Sequence, residues 1–215
     1  MENAVGCEGC ILTNMDMDMK NIVFDLAGVV VGRNEARCPQ QIMDYFYFIN
    51  SGEKLPDFWD DYDRGTRETD SVAEKLAIFR GSDFETAKRL MLAAITYQET
   101  IPATESLIKD LKGADYRLFV LSNMSKDYIE FLRKMSVFQH FEGEIISCEV
   151  HLIKPEKEIY QSLLDTYNLE PEQTMFIDDR VENVEAAASL GIVPFHFDRR
   201  NPEKSCEQLR CILLK

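Results

Sequence analysis

No stretch of the 215-residue chain approaches the roughly 18 consecutive apolar residues of a membrane-spanning helix. Basic residues are scarce as well: 24 Lys and Arg stand against 38 Asp and Glu, a net charge of −14. So acidic a chain neither neutralises nucleic-acid phosphates by bulk charge nor settles on an anionic lipid surface. His140, His151 and His196 are the only histidines, and no two stand at the i, i+4 spacing that a helical zinc site uses. The opening MENAVGCEGCILTNMDMDMK lacks a basic start, a long apolar stretch and a small-residue cleavage site, so it is not read as a secretory signal. Residues 1–20 are expected to form a flexible leader, with Met15, Met17 and Met19 as alternative starts. Cysteine chemistry is equally thin. Cys7 and Cys10 form a C-x-x-C pair, but a zinc site needs two further ligands at suitable spacing. With Cys206 and Cys211 they are expected to be unpaired thiols in mobile tails. Cys38 and Cys148 read as small apolar residues, and a reduced, cytoplasmic compartment is expected.

What is present is enough for a well-packed fold, since 45% of residues are apolar and a chain of this length buries roughly 70% of its unfolded surface. From Asn21 short apolar runs follow one another: NIVF, then VVV, RLFVL (117–121), GEIIS (143–147), TMFI (174–177) and IVPFHF (192–197). Continuous apolar strands of this kind belong to a parallel sheet covered on both faces. Helical segments alternate with them at 104–112, 126–135, 156–167 (opening behind Pro155) and 181–190 (closed by Gly191). The fold class is therefore α/β, a doubly wound parallel sheet. Residues 33–100 break the alternation. They carry aromatic-rich segments, an acidic loop around Trp59 with Asp57, Asp60, Asp61 and Asp63, and capping-box pairs Ser71/Glu74 and Ser82/Glu85. An all-helical insertion after the first strand is expected, flanked by a core made of 21–32 and 101–215. A short terminal helix behind an exposed DRRNPEK tail closes the chain.

In an open α/β sheet, reactive groups gather at the carboxyl ends of the strands. Asp25 ends the first strand, Ser122 and Asn123 the second, and Asp178 and Asp179 the fourth, with Asn183 one helical turn on; Lys154 precedes a helix. Any one of these is an ordinary cap residue; the set in this order is not. Carboxylates converging from two strand ends suit Mg²⁺, which takes oxygen ligands and substrate phosphate oxygens. A carboxylate is also a nucleophile toward phosphorus, a serine hydroxyl and backbone N–H groups donate to phosphate, and a lysine neutralises charge in phosphoryl transfer.

FDLAGVVV, LSNMSKDY, IKPEKEIY and FIDDRVENVEAAASLGI resemble the four successive motifs of the haloacid dehalogenase superfamily, and the detail is similar to a subgroup containing sugar-1-phosphate phosphatases. The insertion sits where that superfamily places a cap, and DRGTRETDSVAEKL resembles the subgroup's Arg-Gly turn. The resemblance implies that Asp25 is the nucleophile and a Mg²⁺ ligand. It implies that Ser122, with Asn123, binds the phosphoryl group, and that Lys154 neutralises it and orients Asp25. Asp179 would ligate the metal directly, Asp178 directly or through water, and the backbone oxygen of Ala27 would complete the shell. Asn183 would hold a water or support these ligands, and Arg64 and Thr66 would face the substrate from the cap.

Ala27 departs from the pattern. Most phosphatases of the superfamily place an Asp there as general acid and base, and losing such a group costs about 10²–10⁴ in rate. The expected function is a Mg²⁺-dependent phosphatase acting on a small phosphorylated metabolite, such as a sugar 1-phosphate, whose leaving group needs little protonation. One alternative is a non-catalytic binding protein of the same fold. Another is a phosphonatase-like hydrolase, which would need a desolvated cap lysine among Lys54, Lys75 and Lys88. A dehalogenase is disfavoured, because no aromatic replaces Ala27. A cap of this size admits a small metabolite and not a folded phosphoprotein; no nucleic-acid or membrane partner is expected, and the chain is expected to be a monomer or weak dimer.

Overall fold

The computed structural model describes residues 18–50 and 54–214. Cys7, Cys10 and nearly all of the expected leader lie outside the described residues. A five-stranded parallel sheet is built from β1 (Asn21–Phe24), β4 (Arg117–Ser122), β5 (Gly143–Ile146), β6 (Thr174–Asp178) and β7 (Val193–His196), in the order β5-β4-β1-β6-β7. The alternating direction of strand side chains splits the core in two. Ile22, Phe24, Leu118, Val120, Met175 and Ile177 meet α5 (Pro102–Gly113), α6 (Lys126–Leu132) and α10 (Pro202–Leu213). Val23, Phe119, Leu121 and Phe176 meet α8 (Lys157–Tyr167) and α9 (Val181–Ala188) on the other face. The doubly wound α/β sheet is thus as expected. No helix among the described residues is long and apolar enough to cross a membrane.

Between β2 (Val31–Arg33) and β3 (Gln98–Thr100), α1 (Gln40–Tyr45), α2 (Asp57–Asp63), α3 (Thr69–Arg80) and α4 (Phe84–Ile95) pack around their own buried cluster, which includes Phe46, Trp59, Leu76 and Leu90. This segment is not all-helical, because β2 and β3 pair antiparallel and close its base as a ribbon. Its acidic "loop" is the helix α2: Trp59 and Tyr62, three residues apart, are buried on one side while Asp57 and Asp61 point away from it. Neither capping box forms. The α3 helix begins earlier, behind Glu68, and Ser71 accepts from Arg67 instead. At α4 the cap is Asp83, which takes both the N–H and the hydroxyl of Thr86. Ser82 pairs with the Tyr45 hydroxyl.

One further expectation needs correction. The C-terminal segment is no mobile tail, because Cys206, Leu209 and Leu213 fall on one helical face and are buried against the sheet. Cys206 is fully enclosed, with its thiol against the Thr104 hydroxyl.

The helical segment is fastened to the sheet side along a turn that follows α2. The Ser147 hydroxyl donates to the Asp63 carbonyl. Arg64 pairs bidentately with Glu156, at 2.6 and 2.8 Å, and the Tyr62 hydroxyl donates to Asp127. Gly65 makes this approach possible: its φ is +72°, and a Cβ there would run into the backbone of Cys148 in α7 (Ser147–Val150). A left-handed non-glycine residue costs about 1–3 kcal/mol from the backbone alone. Gly65→Ala is therefore expected to lower stability by at least about 2 kcal/mol in urea unfolding, the clash adding to the backbone cost, whereas Gly81→Ala, also at positive φ but with open space around it, should cost only the backbone part.

Candidate active site

The carboxyl ends of β1, β4 and β6 meet beside one buried ammonium. Asp25 follows β1, which places it between the two strands that flank β1 in the sheet. The Lys154 Nζ donates to Asp25 Oδ1 at 2.7 Å, to Asp178 Oδ2 at 2.7 Å and to the Leu121 carbonyl at 2.9 Å. Its three protons are thereby used. Ser122 Oγ donates to the same Asp25 oxygen at 2.8 Å. Lys154 is held by its own backbone: Asn123 Nδ2 donates to the Lys154 carbonyl, and the Lys154 N–H donates to Asn123 Oδ1. Asn123 therefore spends its side chain on fixing Lys154, and only its backbone is left to face a ligand.

Asp178 is fully buried and accepts at both oxygens. Its Oδ1 accepts from the Arg180 N–H, both its oxygens accept from Asn183 Nδ2 at 3.0–3.1 Å, and Oδ2 also accepts from Lys154. Asn183 is itself braced by the Tyr160 hydroxyl on its carbonyl. Asp179 differs, because its partner is the more exposed Arg199, at 3.1 Å. Oxygens of Asp25, Asp178 and Asp179 all lie within 4.8 Å of one another. A set of hard carboxylate oxygens at this spacing fits a Mg²⁺-sized dication. Ala27 stands at the exposed edge of the turn after β1. Beside it Gly28, at φ +89°, leaves room for Asp179; a Cβ at 28 would sit 2.9 Å from Asp179 Oδ2.

Burial pushes the Asp25 carboxyl up to about 6, with Asp178 and Asp179 adding to the rise and Lys154 opposing it. Burial also works against the charged form of Lys154, but Asp178 and Asp25 outweigh it and its affinity for the proton rises. Asp179 is raised by burial and by Asp178, against the pull of Arg199. The cluster is thus short of positive charge, and this is what a cation would relieve.

The structure brings Asp25, Ser122, Asn123, Lys154, Asp178, Asp179, Asn183 and Ala27 to this one end of the sheet. Arg64 and Thr66 are committed elsewhere. Arg64 holds Glu156 and the His151 carbonyl, and Thr66 folds back onto the Asp61 carbonyl. Sequence reasoning passed over Glu156 and Asp127, the core-side anchors of the helical segment, and it passed over Asp63. The buried pair Trp59 and Tyr62 would have indicated that α2 turns Asp60 and Asp63, also three apart, onto an adjoining side of the helix.

Known proteins bear on this arrangement. The sequence model of haloacid dehalogenase-like hydrolases matches residues 19–191. The sesquiterpene phosphatase of Aspergillus oryzae is 26% identical over 196 residues, covering 89% of this chain and 95% of its own. A phosphorylated carbohydrates phosphatase of Thermotoga maritima is 28% identical over 92 residues, 42% of this chain and 43% of that one. Among solved structures, a wild-type haloacid dehalogenase-family enzyme from Bacteroides thetaiotaomicron, in complex with magnesium and inorganic phosphate, superposes with a TM-score of 0.66 at 22% identity, over 84% of this chain and 95% of that one; at that identity the likeness is one of fold.

Removing one partner of a buried ion pair leaves the other charge stranded. Lys154→Met is accordingly expected to cost about 3–5 kcal/mol at neutral pH, measured by urea unfolding in EDTA. Without Lys154 the folded-state affinity of Asp25 for protons rises further above the unfolded value. The folded protein then binds more protons than the unfolded one, so the deficit should shrink as pH falls through the raised values. A pH-independent deficit would contradict this electrostatic account.

Proposed function

Because the chain belongs to the haloacid dehalogenase-like hydrolase family and is a phosphatase-type hydrolase, we propose that it hydrolyses a small phosphorylated metabolite, with Mg²⁺, through an aspartyl-phosphate on Asp25. The observation that carries this reading is the division of labour at Asp25. Ser122 and Lys154 both donate to Oδ1, and no hydrogen bond among the described residues engages Oδ2. One oxygen orients the carboxylate and the other is left to attack phosphorus.

Mg²⁺ would be held by Asp25, Asp179 and the Ala27 carbonyl, with Asp178 direct or through water, and would neutralise phosphoryl oxygens. Lys154 adds a fixed charge beside the phosphoryl group, and the Ser122 hydroxyl, on turning from Asp25 Oδ1, would donate to it. Asn183 and the Arg180 N–H hold Asp178 in place. The chemistry of such a transfer is mainly positioning and charge neutralisation, and the braces on Lys154 and Asp178 supply the positioning. Residues 33–100 act as a cap over the cleft, which restricts the substrate to a small molecule. A sugar phosphate is favoured, and a sugar 1-phosphate most of all, because an anomeric hydroxyl leaves more readily than an ordinary alcohol. The Thermotoga relative's name supports a carbohydrate ester; the Aspergillus relative's name would place a terpenoid phosphate in the same panel. The phosphonatase alternative lacks a desolvated cap lysine. Lys54 pairs with Asp57 at the surface, Lys88 pairs with Asp70, and Lys75 is exposed.

Phosphate release from a panel of sugar and terpenoid monophosphates should require Mg²⁺, stop in EDTA and vanish in Asp25→Asn. Thermal unfolding supplies an independent reading. At about 100 times its dissociation constant, Mg²⁺ should stabilise the wild type by about 2.7 kcal/mol and should fail to stabilise Asp179→Asn. Turnover that survives Asp25→Asn would sink the covalent route.

A further inference from the structure

We propose that Asp63, on the last turn of α2, protonates the leaving group and then takes the proton of the hydrolytic water, the part that Ala27 cannot play. This inference rests on the phosphatase reading and on Asp25 as its nucleophile.

In an in-line displacement the leaving oxygen stands opposite the attacking one, so the group that protonates it must look toward Asp25 from the far side of the phosphorus, which is the side of the helical segment. Asp63 lies in the turn that fastens that segment against the sheet end. Its own carbonyl is tied to Ser147, Tyr62 before it is tied to Asp127, Arg64 after it is tied to Glu156, and Gly65 lies against Cys148. Each of these neighbours spends its polar groups on fastening the turn. The Asp63 carboxyl does not: among the described residues no side chain hydrogen-bonds it and no cation comes within ion-pair distance. What it meets is the backbone N–H of Ser125, in the loop that follows Ser122, and the field of Asp25 beyond it.

The surroundings also suit the task. Burial pushes the Asp63 carboxyl up to about 7; Asp60 on its own helix and Asp25 on the sheet add to the rise, while Arg180 and the Ser125 N–H oppose it. Tyr128 of α6 and Cys148 of α7 face it from the other elements. A carboxyl poised near neutral pH serves both as donor and as acceptor. Because the turn is pinned, the group is preorganised and does not wait for a large closure.

The steps balance. Asp25 Oδ2 forms a bond to phosphorus, the bond from phosphorus to the leaving oxygen breaks, and the Asp63 proton goes to that oxygen, giving the free alcohol and the aspartyl-phosphate. Water then attacks phosphorus, its proton returns to the Asp63 carboxylate, and the bond from phosphorus to Asp25 breaks. Inorganic phosphate leaves, and both residues are restored.

Asp63→Asn removes the proton and keeps the size and the Ser147 contact. It is compared with wild type on two Mg²⁺-loaded reactions: the preferred alkyl or sugar ester, and p-nitrophenyl phosphate, whose leaving group needs no proton. The first turnover of the sugar ester should fall about 10²–10⁴-fold. A rapid burst of nitrophenolate, stoichiometric with enzyme and within a few-fold of the wild-type rate, should persist and give way to a slow steady state as aspartyl-phosphate accumulates. The alkaline fall in kcat/KM for the sugar ester, present in wild type, should disappear. The burst also reports that the variant is folded. Wild-type rates on both esters, or an equal loss on both in the first turnover, would overturn the role of Asp63 while Asp25→Asn remained inactive. Activity surviving Asp25→Asn would instead bring down the phosphatase mechanism, and this inference with it.

Discussion

One ammonium group, on Lys154, makes the rest of the site possible. Three carboxylates cannot be brought to the end of a buried sheet without a counter-charge, and Lys154 reaches two of them directly. Its side chain is 2% exposed, so burial alone would have favoured its neutral form; Asp25 and Asp178 keep it charged. In return it fixes the rotamer of Asp25 and the spacing from Asp25 to Asp178. Buried ion pairs seldom add net stability, because desolvation offsets attraction. The cluster is better understood as an arrangement the fold tolerates for its chemistry, with the two hydrophobic faces of the sheet supplying the stability.

The sheet and most of the reactive cluster were legible in the sequence for a common reason. A fully buried parallel strand must be apolar throughout, so its end is marked by the first polar residue, as at Asp25 and Asp178. Where the reading failed, the decisive partners were distant in sequence. Asp83 outcompeted Ser82 because it could take two donors from Thr86 while Ser82 was drawn to Tyr45, 37 residues away. Cys206 read as a thiol in a mobile tail because the charged residues of the last helix hide a single apolar face. Nothing in the local sequence around Arg64 announces its partner Glu156, 92 residues on.

The same distance effect separates the two halves of the proposed chemistry. The sheet holds the groups that deal with phosphate, and their spacing follows from strand order. The helical segment holds what meets the remainder of the substrate, and its placement depends on a handful of contacts around one turn. A change at Ala27 therefore need not be compensated nearby in sequence. Any element that reaches the leaving-group side is eligible, and α2 is the one fastened there.

The strand order has a consequence for how the chain is made. On the ribosome, β1 emerges early, yet one of its two neighbours, β6, is not available until residue 178 and the covering helix α10 until residue 213. The helices between β2 and β3 have their whole cluster by residue 95. Domains and sub-units of a chain fold as they are completed. The helical segment is thus expected to be the first part to acquire a native interior, while the central strand waits, its apolar residues uncovered, for partners synthesised much later. The interval of greatest exposure to aggregation or chaperone binding lies in that wait.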